Sequence, residues 1–192
     1  SGAFGFAIAV NLLKNGNDVT VWCSSKDKLN EIQSGKEIIP GIKIPTEMKF
    51  TDNIKDAVID ADVIYLMTSA KYIGDVTKKI NKYAKKDAVY CIGSKGIEQG
   101  SCEFVHEVFK KNSNNSNYAV ISGPSFAVDL ASGEPIGFSL AASNRRTSKL
   151  IIETLSSNSV KLRKSSDMIG VELCGSIKYV IAVAAGIITG LG

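Results

Sequence analysis

The chain has 192 residues, 44% of them hydrophobic, and its 23 Lys and Arg outweigh 19 Asp and Glu for a net charge of +4. That length suits one globular domain of ordinary size, or one domain with a piece of another. The basic residues form no dense run and no interleaving with aromatics, which argues against nucleic acid as a partner and leaves a small anionic ligand as the better match.

Four cysteines, Cys23, Cys91, Cys102 and Cys174, make no CxxC pair, and His106 is the single histidine, so a zinc site is not expected. The cysteines read as reduced thiols of a cytoplasmic protein, mostly buried. No apolar run reaches about 18 residues without a polar or charged interruption, so no membrane span is expected. The start of the chain lacks the features of a signal peptide. It opens on a glycine-rich turn and stops inside a Gly-rich apolar segment, which reads as a fragment.

In chain order, Ser1–Asn15 places Gly2 and Gly5 ahead of an amphipathic run that stops at Gly16. A β-branched strand, Asp18–Cys23, follows. A Gly-rich turn, a helix and a strand make half of a dinucleotide-binding βαβ unit, with its first strand missing. Gly2 and Gly5 fit the second and third glycines of G-x-G-x-x-G, the one admitting a pyrophosphate and the other a close helix–strand contact. After the strand comes Cys23-Ser24-Ser25-Lys26, with no acid to grip an adenosine ribose. Ser24 and Lys26 suit a 2′-phosphate, which favours NADP slightly over NAD. Ser25 is also a helix cap for Lys26–Gln33.

Further on, a short strand (49–51), a short helix (54–59), a buried strand (63–67) and a helix (72–83) are expected. The strand Ala88–Ile92 runs into Gly93-Ser94-Lys95-Gly96, which puts Lys95 at the carboxyl end of a central strand, where open α/β sheets bind ligands. A helix (102–111), a polar loop and a strand (118–122) lead to Gly123-Pro124-Ser125, with Ser125 expected to cap a helix over 126–132. A strand (136–142), a helix (145–155) and a last strand (160–163) complete the alternation. The composition shifts near Lys164–Asp167. The chain therefore divides into residues 1–165, an α/β dinucleotide-binding domain with a mostly parallel sheet, and residues 166–192, the first helix of a mainly helical domain.

That helix, capped by Ser166 or Asp167, carries VELCGSIKYVIAVAAGIITGLG, with Lys178 among small and apolar neighbours. An ammonium so placed must reach water or meet an anion brought by another segment or a ligand.

Three segments, SGAFG…VTVW, GSKGIE and ISGPSFAVDLASGEP, followed by VELCGSIKYVIAVAAGI, resemble the NAD(P)-dependent glycerol-3-phosphate dehydrogenases of bacterial type, over essentially the whole chain. The resemblance implies a Rossmann-type domain and the start of an all-helical substrate domain. It implies cofactor contacts from Gly2, Ala3, Phe4, Gly5, Ser24, Lys95 and Ala127. Substrate contacts would come from Lys95, Gly123, Ser125 and Lys178, with Lys178 as proton donor and acceptor and Lys95 assisting by electrostatics. The implied reaction is reversible reduction of dihydroxyacetone phosphate to sn-glycerol 3-phosphate, which feeds phospholipid synthesis. The implied partners are NADP or NAD and a small phosphorylated substrate, with a homodimer in the full-length form. Three departures stand out. Tyr179 replaces the usual Asn, Thr189 falls where an Asp is usual nearby, and Thr68 replaces a proline. They keep two alternatives open: a related dehydrogenase with a shifted substrate, against which Ala182 argues, and a cofactor-binding relative without catalysis.

Overall fold

A computed structural model describes residues 2–192, and of Tyr179 only the backbone. The apolar run after Gly2 forms α1 (Ala3–Lys14), which ends where Gly16 takes φ +82°, a conformation that side-chain-bearing residues rarely adopt. Then follow β1 (Thr20–Trp22), α2 (Lys26–Gln33), β2 (Lys49–Thr51), α3 (Ile54–Val58), β3 (Val63–Leu66), α4 (Ile73–Ile80) and β4 (Val89–Ile92). The second half runs α5 (Val105–Asn112), β5 (Tyr118–Ser122), α6 (Ala127–Ser132), β6 (Ile136–Ala142), α7 (Arg145–Leu155), β7 (Val160–Ser165) and α8 (Met168–Leu191).

The α/β alternation holds, with two differences in the sheet. The strands form two sheets: a parallel pair β1–β2 and a five-stranded sheet ordered β3-β4-β5-β6-β7. Among the described residues no strand bridges β1 to β3. The large sheet is parallel except where β6 runs antiparallel to β5, because the short α6 returns the chain beside the strand it just left.

Buried apolar side chains cover both faces of the large sheet, which is why β4, VYCI, is buried at every position. On one face Tyr90 meets Phe109, whose ring meets Tyr118, at centroid distances of 4.9 and 5.6 Å. On the other, α1 packs with α6 and α7 over Val89, Cys91, Ala119 and Leu140. The polar end of α1 is satisfied there. Asn11 Nδ2 donates to the Leu155 carbonyl at 2.8 Å, and Asn15 Nδ2 donates to Thr154 and Ser156 at 2.9 Å each.

Four local expectations are corrected. The helix expected from Tyr72 begins as a 3-10 turn, Ala70–Tyr72, and becomes α-helical at Ile73. The helix expected from Cys102 begins at Val105. Cys102 has φ +57°, and an isolated bridge pairs Ile97 with Phe104 before the helix can start. Two of the four free cysteines, Cys102 and Cys174, are exposed, while Cys23 and Cys91 are buried. Finally, α8 is by length and composition apolar enough to cross a membrane, with a mean hydropathy of 1.8. Lys178 interrupts the run without lowering its average enough to matter.

Candidate active site

The carboxyl ends of β3, β4 and β5 lie on one side of the sheet, because these strands are parallel. From them emerge Met67-Thr68, Gly93-Ser94-Lys95 and Gly123-Pro124-Ser125. The N-terminus of α1 joins them. Its N-cap is Gly2, which offers no side chain to close the helix end, and a Cβ there would meet nothing within 4 Å. At Gly5 a Cβ would stand 3.2 Å from Met67 Cβ, so the glycine lets α1 press against the end of β3. The two glycines therefore divide the work as the sequence pattern requires. One leaves the helix end open to an anion such as a pyrophosphate, and the other sets the close packing. The residues present fit a dinucleotide.

Phe4 ties this turn to the sheet. Its ring meets Phe138 edge-on at 6.2 Å, and Lys95 Nζ sits 5.1 Å from its centroid. Phe138 in turn flanks Gly123, where a Cβ would come within 2.3 Å of the Gly137 carbonyl oxygen. Only glycine lets β5 leave the sheet that close to β6. Ser94, which precedes Lys95, is buried and bonds the Leu66 carbonyl at 3.3 Å, fixing the lysine's loop to β3.

The fourth contributor is α8. Asp167, rather than Ser166, caps it, accepting from Gly170 N–H at 2.8 Å. The helix then packs on β5 and β6, so closely at Gly175 that a Cβ would stand 2.5 Å from Ser122 Oγ. One turn on, Lys178 Nζ lies 5.9 Å from the ring of Phe126, which is 71% exposed. The two lysines, 83 residues apart in sequence, come near enough for the Lys178 charge to act on Lys95. Burial and the neighbouring Lys178 charge together push the Lys95 ammonium down from 10.5 to about 8. Two cations side by side in a half-buried setting form a site that favours an anion.

Ser125 does not cap a helix. The N-cap of α6 is Phe126, with no side-chain bond, and the Ser125 hydroxyl is buried without a protein partner among the described residues. The Gly123-Pro124 turn draws the serine inward instead of leaving it beside the free N–H groups of α6. The Thr68 hydroxyl is likewise buried without a partner. Ala127 is the first residue of α6 and half-buried, and Ala3 is exposed at the start of α1. Ser24 is exposed just past the carboxyl end of β1, on the two-stranded sheet, while Ser25 caps α2 as expected, accepting from Lys28 N–H at 3.3 Å. The departure at Tyr179 lies outside the described side chains.

Sequence reasoning missed two features. Phe126 stands beside Lys178 as an aromatic platform, signalled only by a large apolar residue straight after Gly-Pro-Ser. Glu172, six residues before Lys178 on a different face of the helix, is 6% exposed and bonded to His106 of α5. No local pattern pairs residues 66 positions apart.

Comparison with known proteins agrees with this arrangement. Residues 1–148 match the family described as NAD-dependent glycerol-3-phosphate dehydrogenase N-terminus. The whole chain is 33% identical to a glycerol-3-phosphate dehydrogenase [NAD(P)+] of Fusobacterium nucleatum and 33% to that of Bacillus subtilis, and it spans 58% and 57% of their lengths. A solved glycerol-3-phosphate dehydrogenase from Coxiella burnetii superposes over the whole chain, and 59% of its own, with a TM-score of 0.91 at 32% identity. By the match over residues 1–148 and these relatives, the chain belongs to the NAD-dependent glycerol-3-phosphate dehydrogenase family.

Proposed function

We propose that the protein reversibly reduces dihydroxyacetone phosphate to sn-glycerol 3-phosphate, with NADP or NAD as the hydride carrier. The observation that carries this reading is the meeting of Lys95 and Lys178 beside the open N-terminus of α1. A dinucleotide needs an uncapped helix end for its pyrophosphate, and a phosphorylated ketone needs cationic groups near its reacting oxygen. The contact of Lys95 with Phe4, in the first turn of α1, supports both requirements being served at one end of the sheet.

In this reading the nicotinamide supplies the hydride when bound, and the chain holds the substrate and moves the proton. Lys178 donates a proton to the ketone oxygen as it becomes a hydroxyl, and takes it back in the reverse direction. Lys95 attracts the same oxygen or the phosphate and stabilises developing negative charge. The backbone at Gly123 and the hydroxyl of Ser125, which has no protein partner among the described residues, are substrate contacts. Gly2, Ala3, Phe4, Gly5 and Ala127 border the cofactor. Ser24 and Lys26 approach the adenosine ribose, where the absence of an acid supports NADP. Residues 1–165 act as the dinucleotide domain, and 166–192 as the first helix of the substrate domain. Unpaired thiols support a cytoplasmic setting.

The test follows NADPH and NADH oxidation by full-length protein with dihydroxyacetone phosphate. Turnover dependent on the phosphate ester is expected, with NADPH the better donor. Cofactor binding without turnover would replace the reading with that of a non-catalytic relative.

A further inference from the structure

Helix α8 is held at two points before it reaches Lys178. One is steric, at Gly175 against Ser122. The other is polar and deeply buried. Glu172 Oε1 accepts from the backbone N–H of His106 at 2.9 Å, and Oε2 faces His106 Nδ1 within hydrogen-bond contact. His106 lies in the first turn of α5, at the helix end whose N–H groups lack intrahelical partners. Glu172 therefore caps α5 from another helix, 66 residues downstream. Val171 beside it is buried, and Ser176 Oγ donates back to the Glu172 carbonyl at 2.9 Å.

We infer that Glu172 is a positioning residue for Lys178. Its two bonds to His106 fix the rotation and slide of α8 against the dinucleotide domain, and so bring Lys178 to Lys95. The lever is short. Lys178 follows Glu172 by six residues, about 9 Å along the axis, within a rigid helix. Beyond Lys178 the side chains of α8 are largely exposed, with Val180 at 70%. Within this chain, the contacts that hold the helix therefore lie in the turns before the lysine.

The charges around the pair are few. Glu107, on α5, is the other acid bearing on Glu172, and its own carboxylate turns away to accept from Phe104 N–H at 3.0 Å. The Phe104 ring lies along His106 at 6.4 Å. Burial raises the Glu172 carboxyl above its ordinary value against the pull of His106.

The catalytic arm of the test rests on the proposed dehydrogenase activity, and a second arm does not. In full-length protein, Glu172→Ala is expected to lower kcat about tenfold to a hundredfold, with cofactor affinity unchanged. Glu172→Gln, which still accepts from the His106 N–H, is expected to recover most of the loss. The independent arm titrates Lys95 by NMR of its isotope-labelled side chain. Burial first and the Lys178 charge second push Lys95 down to about 8, so Glu172→Ala is expected to raise it by the Lys178 share of that shift, as is a Lys178→Met control. Should the alanine variant fail to fold, Glu172→Asp, one methylene short of His106, is read the same way. A Lys95 titration unmoved by Glu172→Ala, or by Glu172→Asp in its place, overturns the inference whatever the turnover. Unmoved Lys95 in the Lys178→Met control would show that the lysines do not meet, and would overturn the functional reading with it.

Discussion

The two halves of α8 are built from similar residues and behave oppositely. Up to Gly175, Val171 and Glu172 are buried and the backbone touches β5. From Val180 to Leu191 the apolar side chains stand in solvent, from 57% at Ile187 to 83% at Leu191. Hydrophobicity cannot be what separates them, since the exposed half is the more apolar. What distinguishes the docked half is a cap at Asp167, a glycine where the helix meets the strand, and a carboxylate with a partner. Within residues 1–192, close approach and polar satisfaction hold the first half, and the apolar second half has no surface of this chain to cover it.

The largest effect expected is on chemistry at the border between the halves. Lys178→Ala in full-length protein should reduce turnover by about two to four orders of magnitude while the fold persists. Steady-state kinetics beside a circular dichroism spectrum measures both, and near-normal turnover would sink the assignment of the proton donor.

The comparison itself breaks or holds in a pair of truncations on this chain. Val171→Ala should destabilise by about 2 kcal/mol, because it leaves space in a packed contact. Val183→Ala, 63% exposed, should change stability by less than about 0.5 kcal/mol. Denaturant midpoints decide it, and equal losses would mean that the two halves are not differently docked.

The smallest effect is a pH dependence. Lys95 releases its proton near pH 8 when folded and near 10.5 when unfolded, so between those values the unfolded chain binds more protons. Stability conferred through this group therefore rises from about pH 8 to about 10.5, as the buried charge is relieved, and the full penalty applies below pH 8. The difference in urea midpoint between the native chain and Lys95→Met should narrow across that window. A difference independent of pH would mean that Lys95 is not depressed.

Much of this was legible in the residues. The glycines of the first turn, the strand ending at Gly93-Ser94-Lys95 and the Gly-Pro-Ser turn announce themselves through local geometry, and the strands at 49–51, 118–122 and 136–142 fall where expected. Two of the misread starts have a competing local contact as their cause. Ser125 has the sequence of a cap, yet the turn before it draws the hydroxyl inside. The helix after Cys102 starts late because Phe104 first pairs with Ile97.

By itself the sequence determined the α/β alternation, the open helix end and which lysines were candidates, because these follow from backbone preferences over a few residues. Only the tertiary structure decided that Lys95 and Lys178 face each other, that Phe4 and Phe126 flank them, and that His106 holds Glu172. Those pairings cross more than 50 residues each, and nothing short of the packed sheet brings their elements together. The lowered pKa of Lys95 is a product of the same packing. Its desolvation and its neighbouring charge exist only once β4 and α8 have met.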